Sequence, residues 1–130
     1  NPTSISQKAA LAGLTGPEDG IAVMLAQYDR RRKYMVGRLN AMEGVRCLMP
    51  EGAFYAFPDV SGVYGGMFGG KRITGSADLC EYLLEEQRIA VIPGIGFGAD
   101  DHIRFSYATS MENIEKALDR FEAGIKALER

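Results

Sequence analysis

Apolar residues keep to one helical face from Ile21 to Met42: Ile21, Met24, Leu25, Tyr28, Met35, Val36, Leu39 and Met42 recur mostly at steps of three, four and seven. Only Arg31 and Arg32 interrupt the stripe. Pro17 suits a first helical position, and Glu18 and Asp19 suit the positive end of a helix dipole. The spacing predicts a helix over 17–43, about 25 residues and about 40 Å long. The chain has 130 residues, enough for one domain. A helix of that length reaches beyond one small domain, so part of it is expected to pack on a neighbour.

Shorter elements surround it. Residues 4–14 are rich in helix formers, with Thr3 or Ser4 placed to cap them. Val45–Leu48 and Ala53–Pro58 read as strands joined through Pro50-Glu51-Gly52, a hairpin-like connection. Residues 61–75 hold six glycines and read as a mobile loop. Ser76 is placed to cap a helix from Ala77 to Gln87, and Ile89–Ile92 reads as a buried strand ending at Pro93. A second strand follows at Ile103–Ala108. Ser110 caps a last helix with the stripe Ile114, Ala117, Leu118, Phe121, Ile125 and Leu128. The order predicts an α+β fold: a small, mostly antiparallel sheet of about four short strands, helices packed on one face, and a long connector helix before it.

Charge and cysteine usage narrow the function classes. The net charge of −2 gives no general attraction to nucleic acid or anionic lipid, and Arg30-Arg31-Arg32-Lys33 reads as a solvated helix face. No apolar run approaches the ~20 residues needed to span a bilayer. Cys47 and Cys80 sit in apolar contexts without a CxxC, and His102 is the single histidine, so a zinc site is not expected. Buried, reduced thiols favour a cytoplasmic protein. The chain begins with Asn1, and is expected to come from something longer.

No complete catalytic set is present. Gly65–Lys71 is followed by Arg72 where a phosphate loop needs Ser or Thr. Gly94-Ile95-Gly96-Phe97-Gly98 is not followed by a helix, as a dinucleotide turn would be. His102 lacks an obvious orienting partner, and Lys33 and Lys71 read as exposed. The chemistry concentrates on the strand after the glycine turn. Alternation sends Ile103, Phe105 and Tyr107 to one face and Arg104, Ser106 and Ala108 to the other. Arg104 then stands among small residues on an open sheet face. Its planar fork of donors suits a carboxylate or phosphate. Phe97 in the preceding turn is placed to help exclude water from a bound anion.

Five segments in order carry a resemblance: Asn1–Ala10, Tyr28–Arg32, Pro50–Pro58, Val91–Gly98 and Ile103–Ala108. Together they resemble the C-terminal part of class I, fold type I aminotransferases that use pyridoxal phosphate, especially the aspartate aminotransferase branch. The likeness covers essentially the whole chain. It implies a small domain over 1–130, with 1–16 belonging to the region of the large domain and the dimer contact. It implies that Arg104 binds the α-carboxylate of an amino acid or 2-oxo acid, with Phe97 beside the site. It also implies a large cofactor domain and a homodimeric parent.

The family's Schiff-base lysine and its other cofactor-binding residues match nothing here. No catalytic, cofactor-binding or metal-binding residue is therefore assigned. The chain alone is expected to bind no pyridoxal phosphate and to be inactive. Two alternatives stay open: a stand-alone carboxylate-binding or regulatory module that has lost catalysis, and part of a pyridoxal-phosphate lyase or synthase of the same fold.

Overall fold

The computed structural model describes residues 1–129. Among these residues four helices form: α1 (Ser4–Thr15), α2 (Asp19–Asn40), α3 (Ser76–Gln87) and α4 (Met111–Ala127). Five two- to four-residue strands lie between them: β1 (Tyr55–Ala56), β2 (Met67–Phe68), β3 (Lys71–Arg72), β4 (Ile92–Pro93) and β5 (Ile103–Ser106). The fold is α+β, as expected.

Local chemistry sets the helix ends. Thr3 accepts a hydrogen bond from the Ser6 amide, and Ser110 accepts one from the Asn113 amide, each satisfying a donor that the first turn leaves orphaned. The helix α2 has 22 residues, about 33 Å, somewhat shorter than the stripe implied. Its two halves differ. Met35, Val36 and Leu39 are buried, and Met42 continues the buried face past the helix end. Ile21, Met24 and Leu25 on the same stripe stay exposed, and α1 buries nothing.

The main sheet has three antiparallel strands in the order β1-β5-β4. Tyr55 lies opposite Ser106 and Ala56 opposite Phe105, while Ile92 lies opposite Arg104. The expected strand at 45–48 is reduced to one bridge, Arg46 to Asp59. The Asn40 side chain takes both the N–H and the C=O of Cys47 (2.8 and 2.9 Å), leaving that residue nothing for a ladder. The expected strand at 89–92 starts only at Ile92, because the Ile89 amide donates back to the Leu83 carbonyl at the end of α3.

The glycine-rich stretch 61–75 is structured rather than an open loop. It contains a β2–β3 hairpin whose Gly69 and Gly70 both take positive φ (54° and 81°), which that tight turn needs. Lys71 on β3 is ion-paired with Glu81 and, at 3.6 Å, with Asp78.

One apolar core joins these parts. Ile103, Phe105 and Tyr107 face it from β5 and beyond, and Ile114, Leu118, Phe121 and Ile125 from α4. Phe105 and Phe121 meet edge to face at 5.1 Å. The helix α4 packs on both α2 and α3. Cys47 and Cys80 are free and buried. The basic cluster is less solvated than its sequence suggests: Arg31 and Arg32 are half-buried. Arg32 donates to the Pro50 carbonyl (2.7 Å) and to Asp29 (2.6 Å), tying the turn before β1 to α2. Among the described residues, no helix is long and apolar enough to cross a membrane.

Candidate functional site

The site is built on the face of β5 turned away from the core. Ile103 and Phe105 are buried, Ser106 is exposed, and Arg104 is half-buried, as the alternation requires. The Arg104 guanidinium carbon lies 4.4 Å from the Tyr55 ring centre and 4.7 Å from that of Phe97. Both separations fall within cation–π range. Among the described residues, no carboxylate lies within ion-pair distance of Arg104. The charge is thus braced by aromatic surface, and among the described residues no carboxylate pairs with it.

Tyr55 is the site residue that sequence reasoning missed. It sits on β1 opposite Ser106, so its ring projects beside Arg104 on the same face. The signal was its place in the Ala53–Pro58 alternation, but only the register with β5 makes Arg104 its neighbour. The backbone before Tyr55 is unusual. Ala53, not the neighbouring Gly52, takes the left-handed conformation (φ 59°), which costs about 1–2 kcal/mol for a residue with a Cβ. Tyr107 holds that turn: its hydroxyl donates to the Ala53 carbonyl and its amide to the Phe54 carbonyl. Phe54 then packs on Tyr55 at 4.6 Å between ring centres, the two rings tilted by 50°.

Phe97 lies where the sequence placed it, in a 3-10 turn over Gly94–Phe97. Its ring meets Phe57 edge to face at 5.9 Å. Phe57 in turn stacks on His102 at 4.9 Å. His102 does have a partner, contrary to the sequence reading: its Nδ1 lies 2.7 Å from Asp101 Oδ1. An open cavity of about 490 Å³ adjoins this face, lined by Arg46, Leu48, Pro50, Tyr55, Phe57 and His102 among others. A larger one, about 580 Å³, opens between the ends of α2 and α4, where its lysine, Lys126, is held by Glu122. Among the described residues, no cluster of His, Cys, Asp or Glu is fit to hold a metal ion.

A half-buried arginine between two rings has the fixed donors and the flat surfaces that a planar anion can use. The family profile described as aminotransferase class I and II matches residues 1–121. The chain belongs to the class I and II aminotransferases. It is 44% identical over 128 residues to an aspartate aminotransferase of Rhizobium meliloti, covering 98% of this chain and 31% of that protein. The crystal structure of the aspartate aminotransferase from Rhizobium meliloti superposes with a TM-score of 0.94 at 43% identity, over 98% of this chain and 32% of that one. An alanine aminotransferase from Pyrococcus furiosus superposes with a TM-score of 0.84 at 33% identity, over 96% of this chain and 30% of that one. The chain thus spans about a third of the length of these aminotransferases.

Pyridoxal phosphate, the cofactor of this aminotransferase family, is held through a lysine amine. The lysines here do not fit that task. Lys33, Lys71, Lys116 and Lys126 are exposed and ion-paired at the surface, and Lys8 is exposed on α1. None is desolvated as a nucleophilic lysine must be.

Proposed function

We propose that these residues are the small domain of a pyridoxal-phosphate-dependent aminotransferase, and that Arg104 holds the α-carboxylate of its amino-acid and 2-oxo-acid substrates. In this reading 1–130 is one small domain, and 1–16 belongs with the large domain and the dimer contact of the parent. The exposed apolar face of α1 and of the first half of α2 supports that assignment. The single observation that carries the carboxylate role is a guanidinium braced at 4.4 and 4.7 Å by Tyr55 and Phe97, with no carboxylate of the described residues to neutralise it.

The chemistry follows from geometry. Two parallel N–H donors grip a carboxylate in one plane, which fixes the direction of the bonds at the neighbouring carbon. The aromatic walls keep water from competing for the guanidinium. Phe97 and Tyr55 act by packing, and the proton transfers belong to groups outside this chain.

The full-length enzyme tests this reading. Arg104→Leu lowers kcat/KM for the amino acid by at least roughly 30-fold, the equivalent of about 2 kcal/mol. Arg104→Lys, which keeps the charge and loses the fork, recovers only part of it. Unchanged kcat/KM in Arg104→Leu would sink the assignment. The chain by itself, mixed with pyridoxal phosphate, gives no absorbance change that scales with protein concentration. A stoichiometric change would show that one of its lysines does bind the cofactor.

A further inference from the structure

Ser76 is the one buried polar or charged residue of the described core, at 0% exposure. It does not cap α3, as the sequence suggested. Gly75 holds the cap position, and the Ser76 hydroxyl turns to the segment that carries Phe97. The Ile95 amide donates to Ser76 Oγ (3.1 Å), and Ser76 Oγ donates to Asp100 Oδ1 (2.7 Å). The Ser76 amide also donates to Asp100 Oδ1 (3.0 Å), which sets the carboxylate at the α3 N-terminus. The approach is so close that a Cβ on Gly75 would lie 2.7 Å from Asp100 Oδ2. The Tyr64 hydroxyl donates to the Asp100 carbonyl.

These bonds fasten both ends of one turn. Ile95 and Asp100 bracket Phe97, and the Ser76 hydroxyl joins them across the base. Inside the turn, the Gly98 amide donates to Ile95 and the Ala99 amide to Gly94. The ring of Phe97 therefore leaves a closed frame, although it is half exposed itself (51%). One wall of the Arg104 clamp depends on that frame.

We propose that Ser76 and Asp100 are positioning residues for the substrate carboxylate, acting through Phe97 on Arg104. This rests on the carboxylate role given to Arg104 above. A free arginine side chain has many rotamers, and freezing it on binding weakens affinity. A fixed Phe97 removes that cost before substrate arrives. Loosening the latch therefore weakens binding of the carboxylate in ground and transition states alike. It raises KM and leaves kcat nearly unchanged.

The full-length enzyme is assayed with L-aspartate as the amino acid. Ser76→Ala raises KM about tenfold with kcat within about threefold, the effect of losing the two bonds its hydroxyl makes. Asp100→Ala, at an exposed position, does the same and carries the test if Ser76→Ala fails to fold. Asp100→Asn keeps an acceptor at Oδ1 and restores KM to within about twofold. Hydrogen exchange at the Ile95 amide speeds up in both alanine variants. A lowered Tm with unchanged KM in Asp100→Ala would make the latch merely structural and overturn the proposal. If Arg104→Leu raises KM and both alanine variants do not, the latch alone is wrong. If Arg104→Leu leaves KM unchanged, the carboxylate reading falls and the latch falls with it.

Discussion

Cys80 points into the core from α3, and burial pushes its thiol from 9.0 up to about 11. Between those values the folded chain keeps a proton that the unfolded chain has released. Stability from this group is whole below about pH 9 and falls as pH rises towards about 11. Cys47 shifts in the same direction for the same reason. Urea midpoints from about pH 8 upward therefore decline in the wild type, and Cys80→Ala declines less. Equal slopes would show that the thiol titrates as freely as in the unfolded chain. At this scale the sequence was informative about what a residue is and poor about what it touches. Arg104 was legible because alternation alone turns it from the core. Tyr55 and the Ser76–Asp100 pair were not, because each contact spans 24 or more positions and depends on strand register or turn geometry.

Among the elements, α4 has the clearest stripe and contributes the centre of the core. Phe121 is fully buried against Phe105, so Phe121→Ala costs about 3–5 kcal/mol, read as a lower denaturation midpoint. A loss below about 1 kcal/mol would mean that the site refills, and that α4 is not the keystone its packing suggests. The helices were readable in sequence because caps and periodicity are local. The strands were overestimated because pairing is not. Val45–Leu48 looks extended, yet Asn40 captures Cys47 before a partner strand can. The glycine run looked mobile because composition reports freedom, whereas the hairpin uses that freedom at Gly69 and Gly70.

For the whole molecule, the distribution of exposed apolar side chains is the dominant fact. Ile5, Leu11, Leu14, Ile21, Val23, Met24 and Leu25 are all more than half exposed, at one end of the chain. A surface of that kind associates in water. These 130 residues alone are expected to self-associate in sedimentation, and Met24→Gln with Leu25→Gln to reduce it. A monomer at high concentration would contradict this. The sheet offers no competing route on the β4 side. Its margin is only Ile92 and Pro93, and proline has no N–H to give. An incoming peptide would meet a ladder that runs out of rungs at once, so amyloid-like growth from this margin is barred by covalent structure rather than by charge.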